Sequence, residues 1–188
     1  MTIAYLGLGS NLGDRWGKLA AAVAALRSHP VIQLDAQGFS ASLFETAPVD
    51  VADRQPMFWN TAIRITSDFS PQQLLQRIQE IENRLGRVRQ AKNEARTIDI
   101  DLLMVGDQVI QSPELVLPHP RMHVRRFVME PLAELAPSLL HPTLKLTATA
   151  IAESLRQEAT HQIVQRIAGR QWWMPNHRHA LSSTLVQE

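Results

Sequence analysis

The stretch Arg96-Thr97-Ile98-Asp99-Ile100-Asp101-Leu102-Leu103-Met104 decides how this chain is read. Its alternation predicts a strand, with Ile98, Ile100, Leu102 and Met104 on one face and Thr97, Asp99, Asp101 and Leu103 on the other. Asp99 and Asp101 then project the same way, about 6.6 Å apart along the strand. Two carboxylates so placed repel each other unless a cation or a basic group lies between them. A hard divalent metal is the natural partner, and Mg²⁺ is usually held by one or two carboxylates together with substrate phosphates. An isolated Asp-x-Asp is more often a solvated strand face, so the surroundings of this one have to decide.

Those surroundings are basic. Arg87, Arg89, Lys92 and Arg96 precede the pair, and His119, Arg121, His123, Arg125 and Arg126 follow it. Converging on the acidic strand, they would suit a polyphosphate, whose oxygens are shared between a metal and arginine forks. Nucleic-acid binding is the competing reading of the same charges. It is weakened by a net charge of only +1, which gives no strong overall field, and by the lack of an RNA-binding aromatic signature. A different metal-dependent transferase built on Asp-x-Asp is a third reading. The glycine-rich turn Gly7-Leu8-Gly9-Ser10-Asn11-Leu12-Gly13 lacks the Lys-Ser/Thr ending of a phosphate loop and misses the dinucleotide spacing, so it is read as a backbone turn that shapes a ligand wall.

Working outward, a strand is expected over Ile3 to Leu8 and a helix from about Arg15 to His29-Pro30. A second strand region covers Ile32 to Phe44, a loop rich in breakers follows, and Phe58 to Thr66 alternates as a third strand. Trp59 is expected in the core, with Phe58 on the opposite face. Ser70-Pro71 opens a second helix that Gly86 ends. A hairpin is expected from the aspartate strand through Gly106-Asp107-Gln108 to Val109-Ile110, with helices near Val128–Leu135 and Thr147–Gln157. His119, between two prolines, is expected on an exposed loop. The βαββαβ order predicts an α+β, ferredoxin-like fold: an antiparallel sheet with helices packed on one face and the active site under loops on the other. Residues 1–160 are expected to form the domain. Residues 161–188 are expected to be an extension, partly docked or disordered, in which Trp172-Trp173 stands out.

Cysteine is absent, which removes disulfides, thiol catalysis and cysteine-held zinc, and suits a reducing cytoplasm. No signal peptide is read at the N-terminus and no apolar run approaches the roughly 18 residues needed to span a bilayer. A cytoplasmic location, no membrane partner and a monomer are the expectations.

With these residues in view, the chain resembles the 6-hydroxymethyl-7,8-dihydropterin pyrophosphokinases of folate biosynthesis. The resemblance rests on Tyr5 to Gly13, Glu45-Thr46-Ala47-Pro48, Phe58-Trp59-Asn60, Glu82 with Gly86-Arg87-Val88-Arg89, Arg96 to Leu103, and Leu117-Pro118-His119-Pro120-Arg121-Met122 with Arg125-Arg126-Phe127-Val128. It implies a ferredoxin-like fold and transfer of pyrophosphate from ATP to a reduced pterin, releasing AMP. It implies that Asp99 and Asp101 hold a pair of Mg²⁺ ions, that Arg87 and Arg96 steady the transferred group, and that His119 and Arg125 contact ATP phosphates. Gln79, Glu82, Arg89 and Leu102 match nucleotide-side positions. The pterin would lie between Phe58 and Phe127, read by Asn60, in a pocket shaped by Thr46, Pro48 and Val49. The chain departs from the family at Lys92-Asn93-Glu94-Ala95, where relatives carry a Trp-Gly-Pro run, and at Phe58, where a tyrosine is often found.

Overall fold

The computed structural model describes residues 1–35, 38–49, 55–87 and 95–177. Its sheet is built on two long strands, β1 (Thr2–Ser10) and a strand over Phe58–Ser67, paired antiparallel along their whole length. In chain order the strands are β1, β2 (Ile32–Gln33), β3 (Leu43–Thr46), β4 (Phe58–Ser67), β5 (Asp99–Val105), β6 (Ile110–Gln111), β7 (Val116–Leu117) and β8 (Val164–Ala168). The helices are α1 (Arg15–Arg27), α2 (Pro71–Arg84), α3 (Arg126–Leu135) and α4 (Ala148–Glu158). The main sheet runs β5-β1-β4-β3-β8, with every neighbouring pair antiparallel and β2 set against the end of β4. Its first four strands, with α1 and α2, make the expected ferredoxin-like α+β arrangement.

Local chemistry explains the two helices of that unit. Ser70 accepts from the Gln73 amide while the Gln73 side chain accepts from the Ser70 amide, a capping box with Pro71 in the first turn. Gly86 follows the helix at φ +85°, a conformation that side chains resist. Leu74, Ile78 and Ile81 of α2 join Leu19, Val23 and Leu26 of α1 against Leu6, Leu8, Ile63, Ile100 and Leu102 of the sheet. The opposite face carries, beside the loops over the cleft, a second core in which α3 and α4 pack on Tyr5, Ala62, Leu103 and Met104.

Met104 was expected on the other face. The pairing of β5 with β1 steps from Leu6↔Leu102 to Tyr5↔Met104, so Leu103 is an inserted residue and everything beyond it changes face. The hairpin also differs: Ile110–Gln111 pairs with Val116–Leu117 instead of returning onto β5. The Ile32–Phe44 region splits into β2 and β3, and between them Ser40 makes an isolated antiparallel bridge to Ile63 of β4.

The C-terminal stretch supplies β8, which pairs with β3, and then a wholly buried Trp172. Its indole donates to Ser40 Oγ (3.0 Å) and the Ala41 carbonyl (3.2 Å), and its own carbonyl accepts from Trp16 Nε1 (2.8 Å). Arg27 lies over the Trp173 ring at 4.4 Å. Trp172→Ala therefore leaves a cavity and removes both indole hydrogen bonds. It is expected to cost about 3–5 kcal/mol, read as a lower urea midpoint; a change below about 1 kcal/mol would contradict this packing.

Candidate active site

The cleft is floored by a strand that offers it no side chain. Gly9 of β1 faces it, paired with Asn60 of β4 on one side and Asp99 of β5 on the other, while the Leu103 side chain covers Gly7 on the same face. A Cβ at Gly9 would sit 2.5 Å from Asn60 Oδ1 and 3.9 Å from a Phe58 ring carbon. Around this track lies a cleft of about 660 Å³, part of it open to solvent. Thr46, Ala47, Val49, Phe58 and Asn60 line it on the β3–β4 side, Arg96, Asp99 and Asp101 on the β5 side, and His119, Arg121, Arg125 and Phe127 from the segment that leads into α3.

On the β5 side the charges are arranged in a chain. Glu82 of α2, 1% exposed, accepts the Ile100 amide at 2.8 Å and pairs with the Arg87 guanidinium. Arg87 also reaches Asp99 Oδ1 at 2.7 Å, and Arg96 reaches Asp99 Oδ2 at 2.6 Å. Asp99 is thus held between two guanidiniums. Asp101 is not so compensated. Burial and the neighbouring Asp99 charge push its carboxyl up to about 7, against the opposing pull of Arg125.

His119 is half-buried, not exposed as expected, because its amide donates to the Leu103 carbonyl (2.9 Å) and draws it against β5. Burial, then the charges of Arg125 and Arg121, hold its imidazole down to about 4, so it is neutral near pH 7. The Arg121 amide donates to Nδ1 at 3.3 Å, which leaves Nε2 to carry the proton. Arg125 is buried, with its guanidinium 5.3 Å from the Phe127 ring centre.

On the β3–β4 side, Asn60 Nδ2 donates to Thr46 Oγ1 at 2.7 Å. Behind it Trp59, in the core as expected, donates from Nε1 to Glu45 (3.0 Å), and Arg15 stacks on its ring at 4.2 Å. Asn11 joins the two sides. Its Oδ1 accepts the Arg96 amide (2.7 Å), its own amide donates to the Arg96 carbonyl (3.1 Å), and Nδ2 donates to the Pro56 carbonyl (3.3 Å). Ser10 Oγ adds a bond to the Thr97 carbonyl (2.7 Å). The glycine-rich turn is therefore a backbone clamp on Arg96.

Most of the anticipated residues meet here, but not all. Leu102 is 4% exposed with its side chain in the α1–α2 core, so only its main chain is left to offer a ligand. Gln79 is half-buried on α2 and Pro48 on the loop after β3, and neither lines the cleft. Glu82 is committed to Arg87 and the β5 amide. Arg89 and Lys92-Asn93-Glu94 lie outside the described residues. Ala47 also lines the cleft, together with Gly9 of the glycine-rich turn and Arg121 of the basic set that follows the aspartate strand. For Gly9 a signal exists, since Gly7 and Gly9 share one face of a strand.

Gly9→Ala is expected to force the Asn60 amide out of place and lower ligand affinity at least tenfold with the sheet intact; unchanged affinity would show that Asn60 can move freely. Asp101 gives a pH-dependent test. Its folded value lies above the unfolded one, so its contribution is present below about pH 4 and lost as pH rises through about 7. In EDTA, Asp101→Asn should melt several degrees above the parent at pH 8 and close to it at pH 4. A lower melting temperature at pH 8 would contradict the charge imbalance.

The family model described as 7,8-dihydro-6-hydroxymethylpterin-pyrophosphokinase matches residues 5–137. A 2-amino-4-hydroxy-6-hydroxymethyldihydropteridine pyrophosphokinase of Bacillus subtilis (strain 168) is 43% identical over 133 residues, covering 71% of this chain and 77% of the relative. One of the same name from Haemophilus influenzae is 36% identical over 165 residues, covering 88% and 98%. A crystal structure of Plasmodium falciparum HPPK-DHPS wild type with pterin and p-hydroxybenzoate superposes with a TM-score of 0.66 at 15% identity, over 85% of this chain and 42% of that one, a likeness of fold. By the span of the family model and by these identities, the chain belongs to the 7,8-dihydro-6-hydroxymethylpterin-pyrophosphokinase family.

Proposed function

We propose that this cleft transfers pyrophosphate from ATP to the hydroxymethyl oxygen of 6-hydroxymethyl-7,8-dihydropterin, giving the pterin diphosphate and AMP in folate biosynthesis. Family membership supports the reaction. The observation that carries the assignment to this cleft is its division by Gly9 into a charged side and an aromatic, amide-bearing side.

Each side suits one substrate. Phe58 and Phe127 offer ring faces to a flat heterocycle, and Asn60 with Thr46 offers a fixed amide and hydroxyl to its edge. Arg87, Arg96, Arg121 and Arg125 are the phosphate forks, and His119 is a neutral single donor from Nε2. Gln79 and the Leu102 main chain are assigned to the nucleotide side, with Glu82 acting there through Arg87. The residues fit Mg²⁺: Asp99 and Asp101 are hard oxygen donors on one strand face, and burial beside Asp99 disfavours the Asp101 carboxylate until a cation meets it. Among the described residues no group of three or more acidic or histidine side chains could hold a metal ion, and this reading assigns the remaining positions to phosphate and water oxygens. Bound there, Mg²⁺ would neutralise phosphate charge and polarise the transferred group.

In the transfer, the hydroxymethyl oxygen forms a bond to the β-phosphorus as the bond from that phosphorus to the α–β bridging oxygen breaks. AMP leaves with the electron pair and the hydroxyl proton is released. The chain's task is to hold the two substrates in line across Gly9 and to neutralise charge on the moving group. We infer a monomer as the working unit. Among the described residues no helix is long and apolar enough to cross a membrane. We infer a cytoplasmic location.

Incubation with ATP, Mg²⁺ and the hydroxymethyl-dihydropterin should yield AMP; ADP, or no turnover, would overturn the reading. Asp99→Ala and Asp101→Ala should each lower turnover about 10²-fold or more, and near-normal rates in both would remove the metal assignment.

A further inference from the structure

Beyond the residues matched by the family model, one side chain is bonded into the cleft's wall. Gln162 is 6% exposed, although it lies in an irregular turn between α4 and β8. Its Oε1 accepts the Arg126 amide at 2.9 Å, and its Nε2 donates to the Val124 carbonyl at 3.1 Å. Its own carbonyl accepts from the Arg126 guanidinium at 2.8 Å. The next residue, Ile163, accepts the Ala47 amide at 3.2 Å. One short turn thus grips both Val124–Arg126 and the end of β3.

The need for such a grip follows from the sequence of α3. The helix opens at Arg126 with Arg125 at its N-cap, and an arginine side chain has no acceptor to offer the first helical amides. Arg125 and Phe127 flank the gripped residue, and both line the cleft. A rotation of the Val124–Arg126 peptides would swing both of them.

We propose that Gln162 is a positioning residue: it fixes the start of α3 so that Phe127 and Arg125 face the bound substrates. This rests on the pyrophosphokinase reading for its substrates, but not for its geometry. Glutamine suits the position because a carboxamide accepts from one peptide and donates to the next. Glutamate keeps the acceptor and loses the donor, and methionine loses both.

The test compares Gln162→Met and Gln162→Glu with the parent chain. A merely structural role would lower the folded fraction, reducing apparent kcat and melting temperature while leaving KM untouched. The positioning role predicts a pterin KM about tenfold higher for Gln162→Met, a smaller rise for Gln162→Glu, and shifted amide resonances from Arg125 to Phe127. Unchanged KM values together with unshifted resonances would overturn the proposal, however large the loss of stability. If Gln162→Met does not fold, Gln162→Glu takes its place in the same measurements. If the parent makes no AMP, the pyrophosphokinase reading falls, and the resonances and Arg126 amide exchange then judge the proposal: parent-like values overturn it, and faster exchange with shifted resonances sustains it.

Discussion

The central strand has to serve two faces at once. On one, Ala4, Leu6 and Leu8 are buried to within 1% against α1 and α2. On the other, Gly7 lies under the Leu103 side chain and Gly9 presents bare backbone between the acidic strand and the amide-bearing strand. Glycine in a strand costs about 0.5–1 kcal/mol in lost chain freedom. The cost is met because β1 is paired on both sides and anchored by its apolar face. The space left by the missing side chain at Gly9 separates the charged half of the cleft from the amide-bearing half, and a strand held so firmly can leave it open.

Charge in that cleft is unequally matched. Asp99 lies between Arg87 and Arg96, and Glu82, almost wholly buried, keeps Arg87 from turning away. Breaking a buried pair by removing one partner typically costs several kcal/mol, so these groups stand or fall together. Asp101, two residues on, has no comparable fork, and burial together with the Asp99 charge raises its carboxyl against the pull of Arg125. A fold selected for stability alone would place a neutral residue there. The imbalance is intelligible if a cation and an anionic ligand arrive together, the cation meeting the carboxylates and the anion taking up the arginine forks.

What could be seen in the sequence is what depends on period and on short spacing. The two-residue alternation put Asp99 with Asp101 and set Phe58 against Trp59, and all four are as expected. Met104 failed because one inserted residue, Leu103, reverses every later side chain, and nothing in the local composition marks the insertion. His119 was misjudged because prolines on either side describe its backbone, whereas its burial comes from a bond to Leu103. β8 was hidden for another reason. It is an edge strand whose Gln165 and Arg166 are exposed, so its alternation carries little apolar contrast. Its partner β3 is over a hundred residues away in the chain, a pairing that no local pattern encodes.

Two of the side chains that align the cleft's walls share one chemistry. Asn11 accepts from the Arg96 amide and donates to the Pro56 carbonyl, and Gln162 accepts from the Arg126 amide and donates to the Val124 carbonyl. Each carboxamide stands in for a peptide group where the backbone has no regular partner. A carboxylate could accept but not donate, and would add negative charge beside Asp99 and Asp101. A lysine could donate but not accept, and would add to a wall already rich in arginine. A neutral group with both functions can join two segments without disturbing the electrostatics between them. In a site whose chemistry depends on the balance of carboxylates and guanidiniums, that neutrality is what makes an amide the suitable clamp.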